Sequence, residues 1–415
     1  MKMIKIISPL APKSFPKLPK IKGVKIGTAK SEVKYKGRSD IFTALFDKGT
    51  SVAGVFTKSK LPAEPVSFCK KNISDGKARA LVVNAGYANA FTGAKGKKIN
   101  KSIASNVKKI VKCSEKDIFI CSTGVIGEQI PLGPTNKAIA QAFKNGDSSW
   151  KECSKSIRTT DTFPKASGRK ITIDGQEVSL TGIAKGSGMI SPNMATMLAF
   201  IFTDAAIDRS VLQTLLNLEL RNSFNAITVD GDTSTNDSVL VFATGKAMDS
   251  KDSKVISRIG DPRLVEFRKA FSQIMHDLAI QIVKDGEGAT KLIHVKVSGA
   301  ENSSSAKKIA RSVADSPLVK TAIGASDPNW GRIIMAMGKT KETIQSKKIS
   351  LAIGKNLILK DGELSRSYSE SRTKKYMQED EILINIGLGI GKGDSDIWTC
   401  DLTEGYIRIN ADYRS

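Results

Sequence analysis

The chain has 415 residues and a formal net charge of +24, with 40% hydrophobic and 6% aromatic residues. This composition is typical of a globular protein with two domains or one large one, and no apolar run approaches the ~20 residues of a membrane-spanning helix. No signal peptide is recognisable, so we expect a cytoplasmic protein without a membrane partner. The charge would favour nucleic acid, but the lysines are scattered and few aromatic residues could stack on bases. We therefore interpret it as a lysine-rich surface without a nucleic-acid partner.

The first half of the chain alternates β-type and helical patterns. Residues 1–38 are polar, basic and interrupted by prolines and glycines, which indicates an extended lead-in. Short apolar runs predict a pair of strands at Ile41–Phe46 and Val52–Phe56 and further strands at Ala80–Asn84 and Asp117–Cys121. The spacing of apolar residues from Ile99 to Ile110 predicts a helix. The strand from Asp117 runs into the loop STGVIGEQIP.

The second half has a similar texture. Continuous apolar runs predict buried strands at Met197–Phe202 and Val239–Ala243, and helical spacing predicts a helix over Val211–Leu220. A longer helix from Asp261 to Lys284 should end at the glycine of the following Asp-Gly pair. Mixed helices and strands without a strict βαβ rhythm favour layered α+β packing over a doubly wound sheet.

Cysteine and histidine usage narrows the possible chemistry. The five cysteines are scattered and never spaced as C-x-x-C, which argues against a disulfide framework and against a metal site. Only two histidines are present, and a catalyst of the Ser-His-Asp or Cys-His type would need one of them. His294 falls within a strand pattern and His276 lies beside the apolar stripe of a helix, so we predict structural positions for both.

The segment from Lys185 to Thr196 reads KGSGMISPNMAT. Its glycines permit a tight loop, and Thr196 lies where this loop enters a buried strand. A threonine hydroxyl needs a base, and one histidine-free solution is a threonine that begins a chain, whose own α-amine has a reference pKa near ~8. That solution requires cleavage of the bond between Ala195 and Thr196. By local sequence alone, an ordinary loop threonine remains the commoner alternative.

Long motifs in a fixed order surround this segment and span nearly the whole chain. They are VFT at Val55–Thr57, CSTGVIGEQIP at Cys121–Pro131, TTDTFPK at Thr159–Lys165, DGDTSTNDS at Asp230–Ser238, DGEGATK at Asp285–Lys291, SDPNWGRI at Ser326–Ile333, and the final run CDLTEGYIRINADYRS. Together with KGSGMISPNMATMLAF, they resemble the glutamate N-acetyltransferase family, also called the ornithine acetyltransferase family, of the cyclic arginine pathway.

The resemblance implies a self-cleaving enzyme. The precursor would divide into an α chain, residues 1–195, and a β chain, residues 196–415, that assemble as α2β2. Thr196 would take acetyl from N-acetylornithine and pass it to glutamate through an acetyl-enzyme, with its amine as general base and acid and with no cofactor. The implied fold is an α/β/β/α-type sandwich of the N-terminal-nucleophile kind, with a smaller second α/β domain.

The resemblance also implies site residues. Thr123 and Gly124 would stabilise the oxyanion that forms when an amide carbonyl is attacked. The implied substrate-binding residues are Thr159, Lys185, Thr196, Glu287, Asn410 and Ser415. Lys185 suits a substrate carboxylate and Glu287 an ammonium group. Tyr87 departs from the small polar residue or asparagine common at its position in the family, which leaves substrate range open.

Three alternatives stay open at this point. Within the family, the enzyme is either monofunctional or bifunctional, the latter also using acetyl-CoA as acetyl donor, and no residue decides between them. An N-terminal-threonine amidase or aminopeptidase would use the same Thr196 but pass the acyl group to water. A basic nucleic-acid-binding protein would instead bind DNA or RNA with strong salt dependence and would not need Thr196.

Overall fold

The computed structural model of the chain describes residues 7–191, 197–248 and 254–411. Contacts divide the chain into two compact units. The larger unit comprises residues 13–225 and 232–282, and the smaller unit the described parts of 1–12, 226–231 and 283–415. No helix within the described ranges is long and apolar enough to cross a membrane.

Strands and helices are interspersed throughout the described residues. The strands are β1 (Val24–Ala29), β2 (Ile41–Phe46), β3 (Ser51–Phe56), β4 (Ala80–Tyr87), β5 (Ile118–Val125), β6 (Lys165–Ile173), β7 (Gln176–Lys185), β8 (Leu198–Thr203), β9 (Ser238–Ala243), β10 (Leu292–Ala300), β11 (Ser350–Ile353), β12 (Asn356–Lys360), β13 (Glu363–Leu364), β14 (Glu381–Gly387) and β15 (Gly393–Cys400). The α-helices are α1 (Glu64–Asn72), α2 (Gly93–Val111), α3 (Leu132–Asn145), α4 (Trp150–Ser156), α5 (Arg209–Glu219), α6 (Leu264–Lys284), α7 (Ser303–Ala314), α8 (Pro317–Gly324), α9 (Gly331–Gly338), α10 (Glu370–Tyr376) and α11 (Glu404–Ala411).

A four-stranded sheet in the larger unit has the order β1-β2-β4-β5. Its first two pairings are antiparallel, and β4 and β5 run parallel. Because side chains alternate along a strand, Ile41, Val82 and Ile120 point to one face, where they form a core cluster with residues of α2 and α3. The amphipathic spacing that predicts α2 therefore seats that helix on this sheet.

A five-stranded sheet in the same unit has the order β3-β9-β8-β7-β6. Helix α6 packs against it at β6 and β7. The Gln281 side chain bridges the backbone N–H of Ala166 at 3.0 Å and its carbonyl at 3.1 Å. Gly182 provides the room for this approach, since a Cβ there would lie 2.8 Å from side-chain atoms of both Ile274 and Leu278.

Phenylalanines from both sheets form a shared core. Phe46 of β2 stacks on Phe242 of β9 with ring centroids 4.4 Å apart, and Phe202 of β8 lies 5.5 Å from Phe242. Trp150 of α4 closes the cluster, 4.9 Å from Phe202. Aromatic side chains bury a large apolar area each and contribute strongly to core stability.

The smaller unit is built on a six-stranded sheet with the order β13-β12-β11-β14-β10-β15. Strands β10 and β14 run parallel, and the remaining neighbours are antiparallel. Helices α7 and α9 contribute Ile309, Val313 and Ala336 to a core that also holds Val295 and Ile384 of the sheet.

The structure confirms the mixed α and β class and most predicted elements, with three corrections. The lead-in contains a strand, β1, which the proline- and glycine-interrupted sequence concealed. β2 and β3 are both strands, but they belong to different sheets. The predicted loop after Cys121 was wrong at its start, because Ser122–Val125 still pair with β4. The helix predicted to end at Lys284 does end there.

Replacing Phe202 with alanine tests the shared core. Phe202 is fully buried, so Phe202→Ala should lower the free energy of unfolding by about 3–5 kcal/mol. Urea unfolding followed by circular dichroism measures the change. Phe91→Ala is the matched control, because Phe91 is 79% exposed and should change stability little. Equal effects of the two substitutions would contradict this account of the core.

Candidate active site

The segment that carries the predicted cleavage bond connects two neighbouring strands. Lys185, the last residue of β7, pairs with Leu198, the first residue of β8. Two buried aspartates hold the flanks of the connection. Asp161 accepts a hydrogen bond of 2.6 Å from the Gly186 N–H, and Asp237 Oδ1 accepts one of 2.8 Å from the Met197 N–H. The predicted bond itself, Ala195–Thr196, lies outside the described residues.

Asp161 also lies at the centre of a buried charge cluster. Its carboxylate is 2.7 Å from the Lys165 ammonium and 4.0 Å from that of Lys185, and it accepts the Thr159 N–H at 3.0 Å. Burial would raise the pKa of Asp161, but the Lys165 and Lys185 charges and the Gly186 N–H outweigh it and hold this pKa well below its usual range. The structure thus brings Thr159 and Lys185, both predicted substrate ligands, to one carboxylate.

The predicted oxyanion residues lie at the end of β5. Thr123 is buried, and Gly124 has a φ of +133°, which an L side chain rarely adopts. A Cβ on Gly124 would lie 2.2 Å from the carbonyl carbon of Gly86 in β4, so glycine is required on steric grounds as well. The β4–β5 register shifts at Gly86 and Tyr87, a local irregularity that re-aims the backbone at a strand end.

Two neighbouring residues tie this strand end to the cleavage segment. The Asn236 side-chain amide donates to the Ala88 carbonyl at 2.7 Å and to the Ser122 carbonyl at 2.9 Å. Asp237, next in the chain, is the residue that binds the Met197 N–H. Sequence reasoning found the motifs that contain Asn236, Asp237 and Asp161 but assigned those residues no role. A signal that could have been used for Asn236 and Asp237 is their position directly before the buried apolar strand Ser238–Ala243.

In the smaller unit, two other predicted substrate ligands meet each other. The Asn410 side-chain amide donates to Glu287 Oε2 at 2.8 Å, and Glu287 is buried. Gly288, with φ of +74°, packs against the backbone of Gly405 and Tyr406 and so fixes the loop bearing Glu287 beside α11. Ser415 lies outside the described residues.

Both histidines lie within regular secondary structure, as the sequence predicts. His294 lies in β10, as predicted, with Nε2 2.7 Å from Asp396 and its ring stacked on Trp398 at 4.6 Å. His276 lies within α6. Across residues 7–191, 197–248 and 254–411, no cluster of three or more His, Cys, Asp or Glu side chains could hold a metal ion.

Comparison with known proteins gives matches over nearly the whole chain. The sequence model of the ArgJ family matches residues 25–415. The arginine biosynthesis bifunctional protein ArgJ of Mesorhizobium japonicum is 48% identical over 410 residues and that of Agrobacterium fabrum 48% over 416, each match covering 99% of both chains. A crystal structure of the arginine biosynthesis bifunctional protein of Bacillus halodurans is 45% identical, covers 52% of this chain and 99% of its own, and gives a TM-score of 0.49.

Removing the charge of Asp161 tests the buried cluster. Asp161→Asn would leave the Lys165 and Lys185 ammonium groups buried without their carboxylate, which should cost about 3–5 kcal/mol of unfolding free energy. Because the folded pKa of Asp161 lies below its unfolded value, the stabilisation is complete above the unfolded pKa of ~3.9 and is lost only as pH falls through the lower, folded value. Urea unfolding at neutral pH and at about pH 5 should therefore show the same loss.

The matched control is Asp277→Asn. Asp277 pairs with Arg169 at 2.8 Å, but both side chains are more than one-third exposed, so its removal should cost about 1 kcal/mol or less. A loss at Asp161 no larger than that at Asp277 would contradict the role of Asp161 as the centre of the cluster.

Proposed function

This chain belongs to the ArgJ family of arginine-biosynthesis acetyltransferases, and on that premise we propose that it moves acetyl from N2-acetyl-L-ornithine to L-glutamate. The observation that carries the proposal is the family match over residues 25–415, which contains every residue predicted for the site. The buried anchors on both flanks of the cleavage segment give it independent physical support.

Self-cleavage would create the nucleophile. The Thr196 hydroxyl attacks the carbonyl carbon of Ala195, the peptide C–N bond breaks, and the nitrogen leaves with a proton as the α-amine of Thr196. Water then hydrolyses the resulting ester, which gives the Ala195 carboxylate and restores the hydroxyl. The products are residues 1–195 and 196–415. Anchors at Gly186 and Met197 support this step, because they hold both flanks while the bond between them is broken.

Acetyl transfer would follow in two halves. The Thr196 amine takes the hydroxyl proton as the oxygen attacks the acetyl carbonyl of N-acetylornithine, and the proton passes to the leaving α-nitrogen of ornithine. The glutamate α-amine then attacks acetyl-Thr196, forms N-acetylglutamate and returns the hydroxyl. Thr123 and Gly124 stabilise the oxyanion in each half, and one such donor is worth ~2.7–4 kcal/mol in other acyl-transfer enzymes.

Substrate recognition needs one group for a carboxylate and one for an ammonium. We assign the substrate carboxylate to Lys185 and Thr159. We assign the substrate ammonium group to Glu287, with Asn410 and Ser415 as the further predicted ligands. The Lys185 ammonium is buried and lies 4.0 Å from Asp161, against 2.7 Å for Lys165. A buried ammonium group attracts a carboxylate strongly, because its surroundings screen charge less than water does. The Asn410 amide orients the Glu287 carboxylate.

Three further assignments belong to the same proposal. The larger unit is an α/β/β/α-type sandwich of the N-terminal-nucleophile kind, supported by the phenylalanine core between its two sheets and the helices packed against each. The processed chains assemble as α2β2. Acetyl-CoA serves as a second acetyl donor to glutamate without any resident cofactor, supported by the word "bifunctional" in the names of both bacterial relatives.

The state of the Ala195–Thr196 bond tests self-cleavage. Intact mass measured under denaturing conditions should give two chains for the wild type and one uncleaved, inactive chain for Thr196→Ala. Thr196→Ser is the matched control, since it keeps a hydroxyl and should still cleave. A wild-type protein that stays uncleaved while transferring acetyl would contradict this mechanism.

Donor use tests the second activity. With glutamate and acetyl-CoA but no N-acetylornithine, wild-type enzyme should form N-acetylglutamate, detected by mass spectrometry, and Thr196→Ala should form none. No product from the wild type would establish a monofunctional enzyme. With N-acetylornithine and glutamate together, release of acetate instead of N-acetylglutamate would show the amidase alternative.

A further inference from the structure

The Asn236–Asp237 pair immediately precedes β9 and is held in place on both sides. Asn236 is 8% exposed and Asp237 is 1% exposed. The backbone around them is anchored as well. The Thr57 N–H donates to the Asp237 carbonyl at 3.0 Å, and the Thr57 hydroxyl donates to the Ser234 carbonyl at 2.7 Å. Both side chains therefore project from a segment with little freedom to move.

Asn236 links the two sheets of the larger unit through its side chain. Its chain continues into β9 of the five-stranded sheet, whereas its amide binds carbonyls of Ala88, just after β4, and Ser122 of β5, in the four-stranded sheet. Sheets stacked face to face lie about 10 Å apart, too far for backbone hydrogen bonds between them. A side chain with two donors can span such a gap and satisfy two buried carbonyls.

The Ser122 carbonyl belongs to the same peptide group as the Thr123 N–H. A peptide unit is planar, so fixing the Ser122 oxygen also fixes the direction of the Thr123 N–H. Thr123 and Gly124 are the residues proposed to stabilise the oxyanion. The Asn236 amide thus controls the orientation of the backbone from which those donors extend.

Asp237 fixes the chain that follows the proposed nucleophile. It accepts the Met197 N–H at 2.8 Å, while the Ser238 N–H donates to the Met197 carbonyl at 3.1 Å. Both backbone polar groups of Met197, the residue directly after Thr196, are therefore bound to the segment that begins with Asn236.

We propose that Asn236 and Asp237 are positioning residues that hold the nucleophile chain and the oxyanion strand at a fixed mutual distance. The proposal rests on the proposed acetyl transfer at Thr196. Acyl transfer requires the attacking oxygen and the oxyanion donors to meet the same carbonyl group, and a 1 Å misplacement can lower the rate about 100-fold. Two adjacent residues that each bind one of the two partners set this distance directly.

The test replaces Asn236 with leucine, which keeps the shape of the side chain and removes both donors. Active sites are counted as the fraction of residues 196–415 that carries acetyl after incubation with N-acetylornithine alone. We expect kcat per acetylated site to fall roughly 100-fold with little change in KM for N-acetylornithine. A purely structural role would lower the number of sites and leave kcat per site unchanged. Should Asn236→Leu fail to fold, Asn236→Ala, in which water can reach the carbonyls, carries the same expectation.

Asn72→Leu is the matched control. The buried Asn72 amide bridges two carbonyls in the same way, those of Glu115 at 2.8 Å and Ile118 at 2.9 Å, but at the opposite end of β5. It should lower the melting temperature while kcat per site stays at the wild-type value. Unchanged kcat per site in the Asn236 variant, or an equal loss in both variants, would overturn the proposal. A wild-type enzyme that never becomes acetylated would instead refute the proposed function.

Discussion

The antiparallel pairing of β7 with β8 is the constraint on which the candidate site depends. Lys185 and Leu198 pair with each other across these two strands. The segment between them therefore begins and ends at the same end of the β7–β8 pair. Its two flanks cannot drift apart without breaking the ladder. Cleavage within the segment would therefore leave Lys185 and Leu198 paired across the ladder.

The strand order extends this argument to the two product chains. In the order β3-β9-β8-β7-β6, strands β8 and β9 would belong to residues 196–415 and the other three to residues 1–195. One product of the proposed cleavage would therefore contribute the middle of a sheet whose two sides come from the other. Phe46 and Phe242 stack across the same division at 4.4 Å. The larger unit would thus be built jointly by both proposed products, because the proposed division at Ala195 does not coincide with the division into compact units.

Buried charge is the second organising feature. Four lysines in the described part of the chain are buried, namely Lys165, Lys185, Lys291 and Lys320. Lys291 and Lys320 bind carbonyl and hydroxyl oxygens, for example those of Ile323 at 3.1 Å and Val229 at 2.7 Å. Lys165 and Lys185 instead both lie beside the Asp161 carboxylate, at 2.7 Å and 4.0 Å. These two ammonium groups thus depend on a buried charge of opposite sign rather than on neutral oxygens.

Much of the fold could be predicted because apolar runs and helical spacing are local signals. Strand β8 and helices α2, α5 and α6 follow from them directly. The partner of each strand is not a local property, so the sequence could not place β2 and β3 in different sheets. Strand β1 escaped for a related reason, since its pairing with β2 stabilises a segment that is weakly patterned by itself.

The candidate site also contains residues that the sequence could predict and residues that only the structure shows. Thr123, Gly124, Thr159 and Lys185 could be named because they lie in long motifs shared with a family. The contact between Glu287 and Asn410 joins residues far apart in sequence, and only the folded chain brings them together. Asp161, Asn236 and Asp237 contribute through buried hydrogen bonds to backbone groups of other segments. No spacing rule encodes such partners, so their roles emerge only from the structure.

These buried hydrogen bonds also explain how a site at strand ends can be rigid. A sheet fixes the middle of its strands through the ladder, but Lys185, Met197 and Gly124 all lie at or just beyond the place where a ladder stops. Side-chain acceptors and donors replace the ladder near each of these points. Asp161 binds one flank of the loop, Asp237 binds the other, and the Asn236 amide binds the Ser122 carbonyl two residues before Gly124. Catalytic groups stabilise a transition state most when their positions are fixed before the reaction begins. The polar residues buried beside the cleavage segment thus supply the order that the backbone alone cannot.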